Sequence, residues 1–149
     1  MNRNLEVLHR GPASAGVLLI AKKHVLLVKE KSSDKWGLPK GSIQKGETTG
    51  DCWRRELKEE TQIDIDQYLY RVTWSKVINR YVIYTVKLSI DDKTFDQLKT
   101  QESKSEEITQ IKWMEIGLIS RKMFAQFNST ARTAIFDIPD LPLRSFRRE

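Results

Sequence analysis

The sequence predicts an α/β (α+β) domain built on a mixed β-sheet, and three observations carry that expectation. Apolar runs of strand length stand at residues 14–21 and 24–28. A period-two alternation occupies residues 68–90, and two stretches of helical spacing, 48–60 and 117–136, are interleaved with the strands. At 149 residues the chain has the size of one domain, and 1–149 is expected to fold as one unit. Hydrophobic residues at 39%, charged residues at 31% and a mean hydropathy of −0.53 describe a core with a well-solvated surface. The longest apolar stretch, Val17 to Ala21, falls far short of the roughly 20 residues of a membrane span, and no secretory signal pattern is expected. A single cysteine, Cys52, allows neither an internal disulfide nor a multi-thiolate zinc site. A reducing compartment, the cytoplasm, is therefore expected.

The elements follow in order. Ser14 to Ala21, after Gly11-Pro12, is a continuous Val/Leu/Ile run and reads as a buried strand. Lys22-Lys23 turns the chain into a second strand, His24 to Val28. Residues 31–47, rich in Lys, Ser, Gly and Pro, read as loop. Thr48 or Thr49 caps a helix running to about Glu60, with Trp53 and Leu57 as an i, i+4 apolar pair. Farther on, Val82, Tyr84, Val86, Leu88 and Ile90 share one strand face, and Tyr81, Thr85, Lys87 and Ser89 the other. Val72 to Ile78 is the expected partner across Asn79-Arg80, a weak hairpin turn because it lacks glycine. Residues 91–107 are polar, with one helical turn after Thr94. Ile108 to Met114 is another strand. Leu118, Met123, Phe127 and Ala131 give 117–136 its helical spacing, and the tail from Pro139 is irregular and bears arginines.

The net charge of +6 is unevenly placed. Residues 1–45 carry nine Lys/Arg against three Asp/Glu, residues 46–119 eleven against fourteen, and residues 120–149 six against three. Mid-chain carboxylates suit a hard cation, and flanking cations suit phosphates or a polyanion.

The acidic centre is concentrated on one helix face. Glu56, Glu59 and Glu60 are spaced i, i+3, i+4, and three adjacent carboxylates repel unless something positive sits among them. Oxygen-only ligands suit Mg²⁺ or Mn²⁺. Trp53 and Leu57 turn the opposite face to the core, which leaves the carboxylates facing solvent or a cleft. Immediately before the helix, Trp36-Gly-Leu-Pro-Lys-Gly41 and Gly46-Glu47 combine permissive glycines with lysines.

At these residues the chain resembles the Nudix hydrolases, whose signature is G-x5-E-x7-R-E-U-x-E-E-x-G-U with U a bulky aliphatic. Gly41, Glu47, Arg55, Glu56, Leu57, Glu59, Glu60 and Ile63 match eight of nine specified positions. Gln62 stands where the family has glycine, a left-handed helix end that a non-glycine residue adopts at a cost of about 1 kcal/mol. The resemblance implies a Nudix-type α/β/α sandwich with a mixed sheet and a catalytic loop-helix-loop. It implies Glu56, Glu59 and Glu60 as metal-binding glutamates, with the Lys40 carbonyl as a main-chain ligand. Arg55 and Glu47 would pair to hold the loop against the helix. The implied reaction is attack of water on a pyrophosphate linkage, dependent on Mg²⁺ or Mn²⁺.

For substrate, the run from Trp36 to Gly41 is similar to that of both mRNA-decapping enzymes and dinucleoside tetraphosphate hydrolases. Glu107 to Trp113 resembles the decapping strand that carries an additional catalytic glutamate, so Glu107, with Glu106 beside it, is a candidate base or ligand. Lys40, Lys45 and Trp36 are candidate substrate-binding residues. Arg3, Arg10, Lys22, Lys23, Arg144, Arg147 and Arg148 could follow an RNA backbone, and Tyr81, Trp74 and Trp113 could stack a base. The favoured substrate is the 5′ end of RNA, with cap or 5′ phosphate removed. The alternatives are a small-nucleotide hydrolase for dinucleoside polyphosphates, oxidised nucleotides or ADP-ribose, and a non-catalytic binding module. His9 and His24 stand at no ligand spacing, and Cys52 reads as packing.

Overall fold

Lys22 and Lys23 both take left-handed backbone (φ 49° and 65°) and reverse the chain between β1 (Ser14–Ala21) and β2 (His24–Glu30). In the computed structural model, which describes residues 13–137, these strands are the centre of a seven-stranded mixed sheet. β1 and β2 share only two register pairs, Ile20 with Val25 and Ala21 with His24, and then part. The wedge between them takes two short strands from the segment expected to be loop. β3 (Trp36–Gly37) pairs with β2, and β4 (Lys40–Ser42) pairs with β1. Backbone pairing of this kind needs no apolar periodicity, so composition gave no sign of it.

The helix expected after Thr48 is α1 (Thr49–Thr61). The Thr48 side chain accepts from Asp51 N–H, and the Asp51 carboxylate accepts from Thr48 N–H, a reciprocal cap. Gln62 ends it in the left-handed conformation (φ 67°, ψ 10°), where the motif reading placed it. β5 (Leu69–Ile78) and β6 (Tyr81–Ser89) form the long hairpin, and β6 lies parallel to β1. Asn79 and Arg80 turn it with φ of 49° and 76°. That twist matches the strands without glycine, and Asn79 Nδ2 donates to Ser129 Oγ at 2.9 Å. α2 (Asp92–Leu98) starts two residues earlier than expected, because Asp91 caps it by accepting from Thr94 N–H. β7 (Ile108–Glu115) pairs with β2.

The helix expected over 117–136 is not continuous. Two 3₁₀ segments, Ile116–Leu118 and Arg121–Gln126, precede α3 (Ser129–Asp137). Phe127 is extended (φ −105°, ψ 144°) and buried. Asn128 then caps α3 through Oδ1, which accepts from Ala131 N–H at 2.9 Å. Leu118, one of the residues that gave the segment its helical spacing, is 56% exposed.

The apolar runs supply two cores, one on each face of the sheet. Val17, Leu19, Val82, Tyr84 and Val86 pack under Trp53 and Leu57 of α1 and Phe95 and Leu98 of α2. Leu18, Ile20, Val25, Leu27 and Ile83 pack under Phe127 and Ala131, Ala134 and Ile135 of α3. The arrangement is an α/β/α sandwich. Among the described residues no helix is long and apolar enough to cross a membrane.

Candidate active site

The sheet's wedge, the start of β6 and the α1 carboxylates meet at one end of the molecule. There the end of β2, the Lys40-Gly41 segment and Glu60 enclose an open cavity of about 680 Å³. Tyr81 and the Glu106-Glu107 turn before β7 complete the wall.

Arg55 organises the side nearest α1. Its Nε and Nη2 donate to the two Glu47 oxygens at 2.6 and 3.0 Å, and Nη2 also donates to the Ser42 carbonyl at 2.9 Å. Nη1 donates to Glu56 at 3.0 Å and to Glu59 at 3.3 Å. One guanidinium thus ties residues 42–47 to the helix. It holds the Glu47 carboxyl below its ordinary range, and Glu47 in return holds Arg55 protonated. The pairing of Glu47 with Arg55 is the one the motif implied.

Glu60 is 5% exposed. Burial, then the neighbouring Glu56 carboxylate, pushes its pKa up to about 9. The shift favours the protonated acid, with Glu56 as the acceptor of its proton, while Lys40 backbone N–H donates to Glu60. Burial also raises Glu56, against the pull of Arg55. The cradle for this pair is Gly41, whose missing Cβ would fall on the Glu56 carboxylate. Glu59 differs from the other two. More than half of its side chain is exposed, and its carboxylate is engaged by Arg55. Of the three carboxylates expected to face solvent or a cleft, Glu60 is on the cavity wall and Glu59 faces solvent, while Glu56 is held between Glu60 and Arg55.

Among the described residues no three acidic, His or Cys side chains converge on one point, and Glu59 is turned to Arg55. The donor chemistry nevertheless fits a hard divalent cation. A buried carboxylic acid pair shares a proton that a cation would replace, all the donors are oxygens, and a glycine leaves the room.

Glu107 and Glu106 are exposed at the opposite wall, and the Glu107 carbonyl accepts from Lys31 N–H at 2.9 Å. Lys40 lines the cavity, but its Nζ is held by Glu30 at 2.8 Å and lies 5.1 Å from the Tyr81 ring centroid. Trp36 and Lys45 are not on the wall. Trp36 packs among Lys29, Lys112 and the α3-side core, and Lys45 is exposed on the turn before Glu47. Of the expected stacking residues, Tyr81 is on the wall, Trp113 packs against Phe95, and Trp74 is 37% exposed on β5. Cys52 is buried, with a thiol pushed up to about 11 by burial. His24 bonds the Lys22 carbonyl and touches Phe95. Arg3, His9, Arg10, Arg144, Arg147 and Arg148 lie outside the described residues.

Sequence reading missed Glu30. Burial alone would raise its pKa, but Lys40, Asn128 and Ser33 outweigh that and hold the carboxylate below its ordinary range. Glu30 thereby joins β2, Lys40 of β4 and the Asn128 cap of α3. A lone acid closing an apolar strand was the only available signal.

A sequence model of the NUDIX domain matches residues 10–134. The chain belongs to this family. It is 30% identical over 101 residues to the mRNA-decapping enzyme subunit 2 of Saccharomyces cerevisiae, a match covering 67% of this chain and 10% of that protein. The chain thus spans about a tenth of the length of the curated relatives it matches. Solved structures share the fold. A C. elegans Ap4A hydrolase in a binary complex superposes with a TM-score of 0.53 and 20% identity, covering 87% of this chain and 89% of that one. A Francisella tularensis bifunctional NMN adenylyltransferase/ADP ribose pyrophosphatase, complexed with AMP and Mn, gives a TM-score of 0.60 and 19% identity over 85% and 40% of the two chains.

Proposed function

We propose that residues 1–149 act as one pyrophosphohydrolase unit, dependent on Mg²⁺ or Mn²⁺, that cleaves the phosphorylated 5′ end of RNA in a reducing, cytoplasmic setting. The observation that carries the hydrolase reading is the buried Glu56–Glu60 pair, braced by Arg55 and Glu47, across one cavity from Glu106 and Glu107. Glu56 and Glu60 would hold the cation, with the Lys40 carbonyl, and with Glu59 once it leaves Arg55, as further oxygen donors. When bound, it polarises a phosphoryl oxygen and acidifies the attacking water. The chain's own residues do the rest. Arg55 keeps the loop and helix in register. Lys40 places positive charge where phosphates enter, and Glu107 at the opposite wall accepts the proton of the attacking water.

Two facts favour RNA as substrate: the similarity to a yeast decapping subunit and the position of Glu107 on the cavity wall. The fold shared with an Ap4A hydrolase supports the second reading, a dinucleoside polyphosphate. A product screen separates them. The protein is incubated with Mn²⁺ and capped RNA, triphosphate-ended RNA, diadenosine tetraphosphate or ADP-ribose, and the released nucleotide is identified. Release of a nucleotide from the 5′ end of RNA is expected. Turnover confined to the dinucleotide would replace the RNA reading, and no turnover of any substrate would leave a binding module.

A further inference from the structure

Between Gln67 and Ile90 the sequence has no acidic residue, while Arg71, Lys76, Arg80 and Lys87 supply four cations. This segment is the β5–β6 hairpin, and among the described residues β5 is an edge of the sheet. The register sorts its side chains. Tyr70 meets Trp53 edge-on, which puts that row on the α1 side. The other row faces the α3 side, because Lys76 reaches Asp137 of α3 at 3.9 Å and Ile78 lies in the α3-side core. A bulge at Thr73 keeps Trp74 in that second row, opposite Thr85. Starting from the cavity wall, the row reads Tyr81, Lys76, Trp74, then Arg71 facing Lys87. At about 3.3 Å per residue it spans roughly 20 Å.

Two features mark the row as unfinished by the fold. Arg71 and Lys87 are like charges directly opposite one another, an unfavourable cross-strand pair, and neither has an ion-pair partner among the described residues. Trp74 is 37% exposed on β5, with Lys76 Nζ 5.9 Å from its ring centroid and the exposed Leu69 farther along the same row. A second copy of this chain would bring the same cations onto themselves. A polyanion that also offers flat rings meets both the charge and the indole.

We propose that the α3-side row of the β5–β6 hairpin is a track for single-stranded RNA, running from the cavity at Tyr81 outward past Lys76 and Trp74 to the Arg71–Lys87 pair. The track deepens the RNA reading given above and extends its site beyond the cavity. Phosphates lie over Arg71, Lys87 and Lys76, and one base stacks on Trp74.

The test is equilibrium binding of the full chain to 5′-hydroxyl oligoribonucleotides of about 4 and about 12 nucleotides across a salt series. These oligomers offer no 5′ phosphate to cleave. For the longer oligomer, Arg71→Ala/Lys87→Ala is expected to weaken binding about 10-fold and to flatten the salt slope by roughly 1.4, at ~0.7 per single-strand phosphate. Trp74→Ala is expected to weaken it about 5-fold or more and to remove most of the tryptophan fluorescence quenching expected when the wild type binds. A control pair on other elements, Lys93→Ala/Lys104→Ala, should bind nearly as wild type. Equal losses in the control pair would overturn the track, as would unchanged binding in the row variants. Displacement of the RNA by polyglutamate at matched charge would also overturn it, in favour of an acidic protein partner. A wild type that binds through this row yet releases nothing from RNA 5′ ends removes the hydrolysis reading and keeps the track. Cleavage of long RNA unaffected by the row variants does the reverse.

Discussion

A Cβ at Gly41 would land on the Glu56 carboxylate, so Gly41→Ala must displace either the loop or the acid. Since Glu56 is held from the other side by Arg55, the expected outcome is a loss of turnover of about 10²-fold or more with the fold retained, checked by kcat and circular dichroism. Glu60→Gln is expected to lose turnover on the same scale. It also carries a pH signature. The raised native pKa of about 9, from burial and Glu56, means that the folded protein binds a proton which the unfolded chain releases near 4.5. Stability of the metal-free protein should therefore be highest below about pH 4.5 as far as this group is concerned, and decline as pH rises towards 9. Thermal denaturation in chelator across that range should show the decline in wild type and a flatter profile in Glu60→Gln; identical profiles would remove the shared proton. This part of the site was legible in the sequence because Gly41 through Ile63 are contiguous, and helical spacing places the acids. Glu30 and Asn128 were not, since only the sheet and the α3 cap bring them to Lys40.

At the scale of elements, α1 begins and ends on residues that can be tested singly. Thr48→Ala removes the reciprocal cap with Asp51 and is expected to cost about 1 kcal/mol. Gln62 sits in left-handed backbone at the far end, so Gln62→Gly should stabilise by up to about 1 kcal/mol. Both are read from denaturant midpoints at constant m. α1 could be delimited from sequence because its caps are local chemistry. The segment 117–136 could not. Its apolar spacing is helical by count, yet Phe127 is claimed by the α3-side core in extended form, and its bridge to Trp36 outweighs local propensity. The β5–β6 turn was undervalued for a related reason. Asn79 and Arg80 adopt the conformation for which glycine was sought, and the bond from Asn79 to Ser129 on another element offsets the strain.

Across the whole molecule, the continuous apolar run of β1 was the signal that both sheet faces are covered, and the two cores bear it out. What strand patterns could not convey was the pairing partner of each strand, which depends on contacts distant in sequence. Trp53 is fully buried in the α1-side core. Trp53→Ala is expected to cost about 3–5 kcal/mol, measured by denaturant unfolding, and to drop activity only through the unfolded fraction. The brief pairing of β1 with β2 has a mechanical consequence. Any rocking of the β2–β7 ribbon against the β1–β6–β5 ribbon breaks fewest hydrogen bonds along that seam, pivoting at Lys22-Lys23. Such a motion carries Glu30 and Glu107 on one jaw away from Glu56 and Glu60 on the other, and the Lys40–Glu30 ion pair and the side chains that β1 and β2 share in both cores limit its amplitude. Amide exchange should find the Val17 N–H, bonded to the Pro39 carbonyl across the seam, less protected than its neighbours inside the β1–β6 ladder, and slower once a nucleotide bridges the jaws.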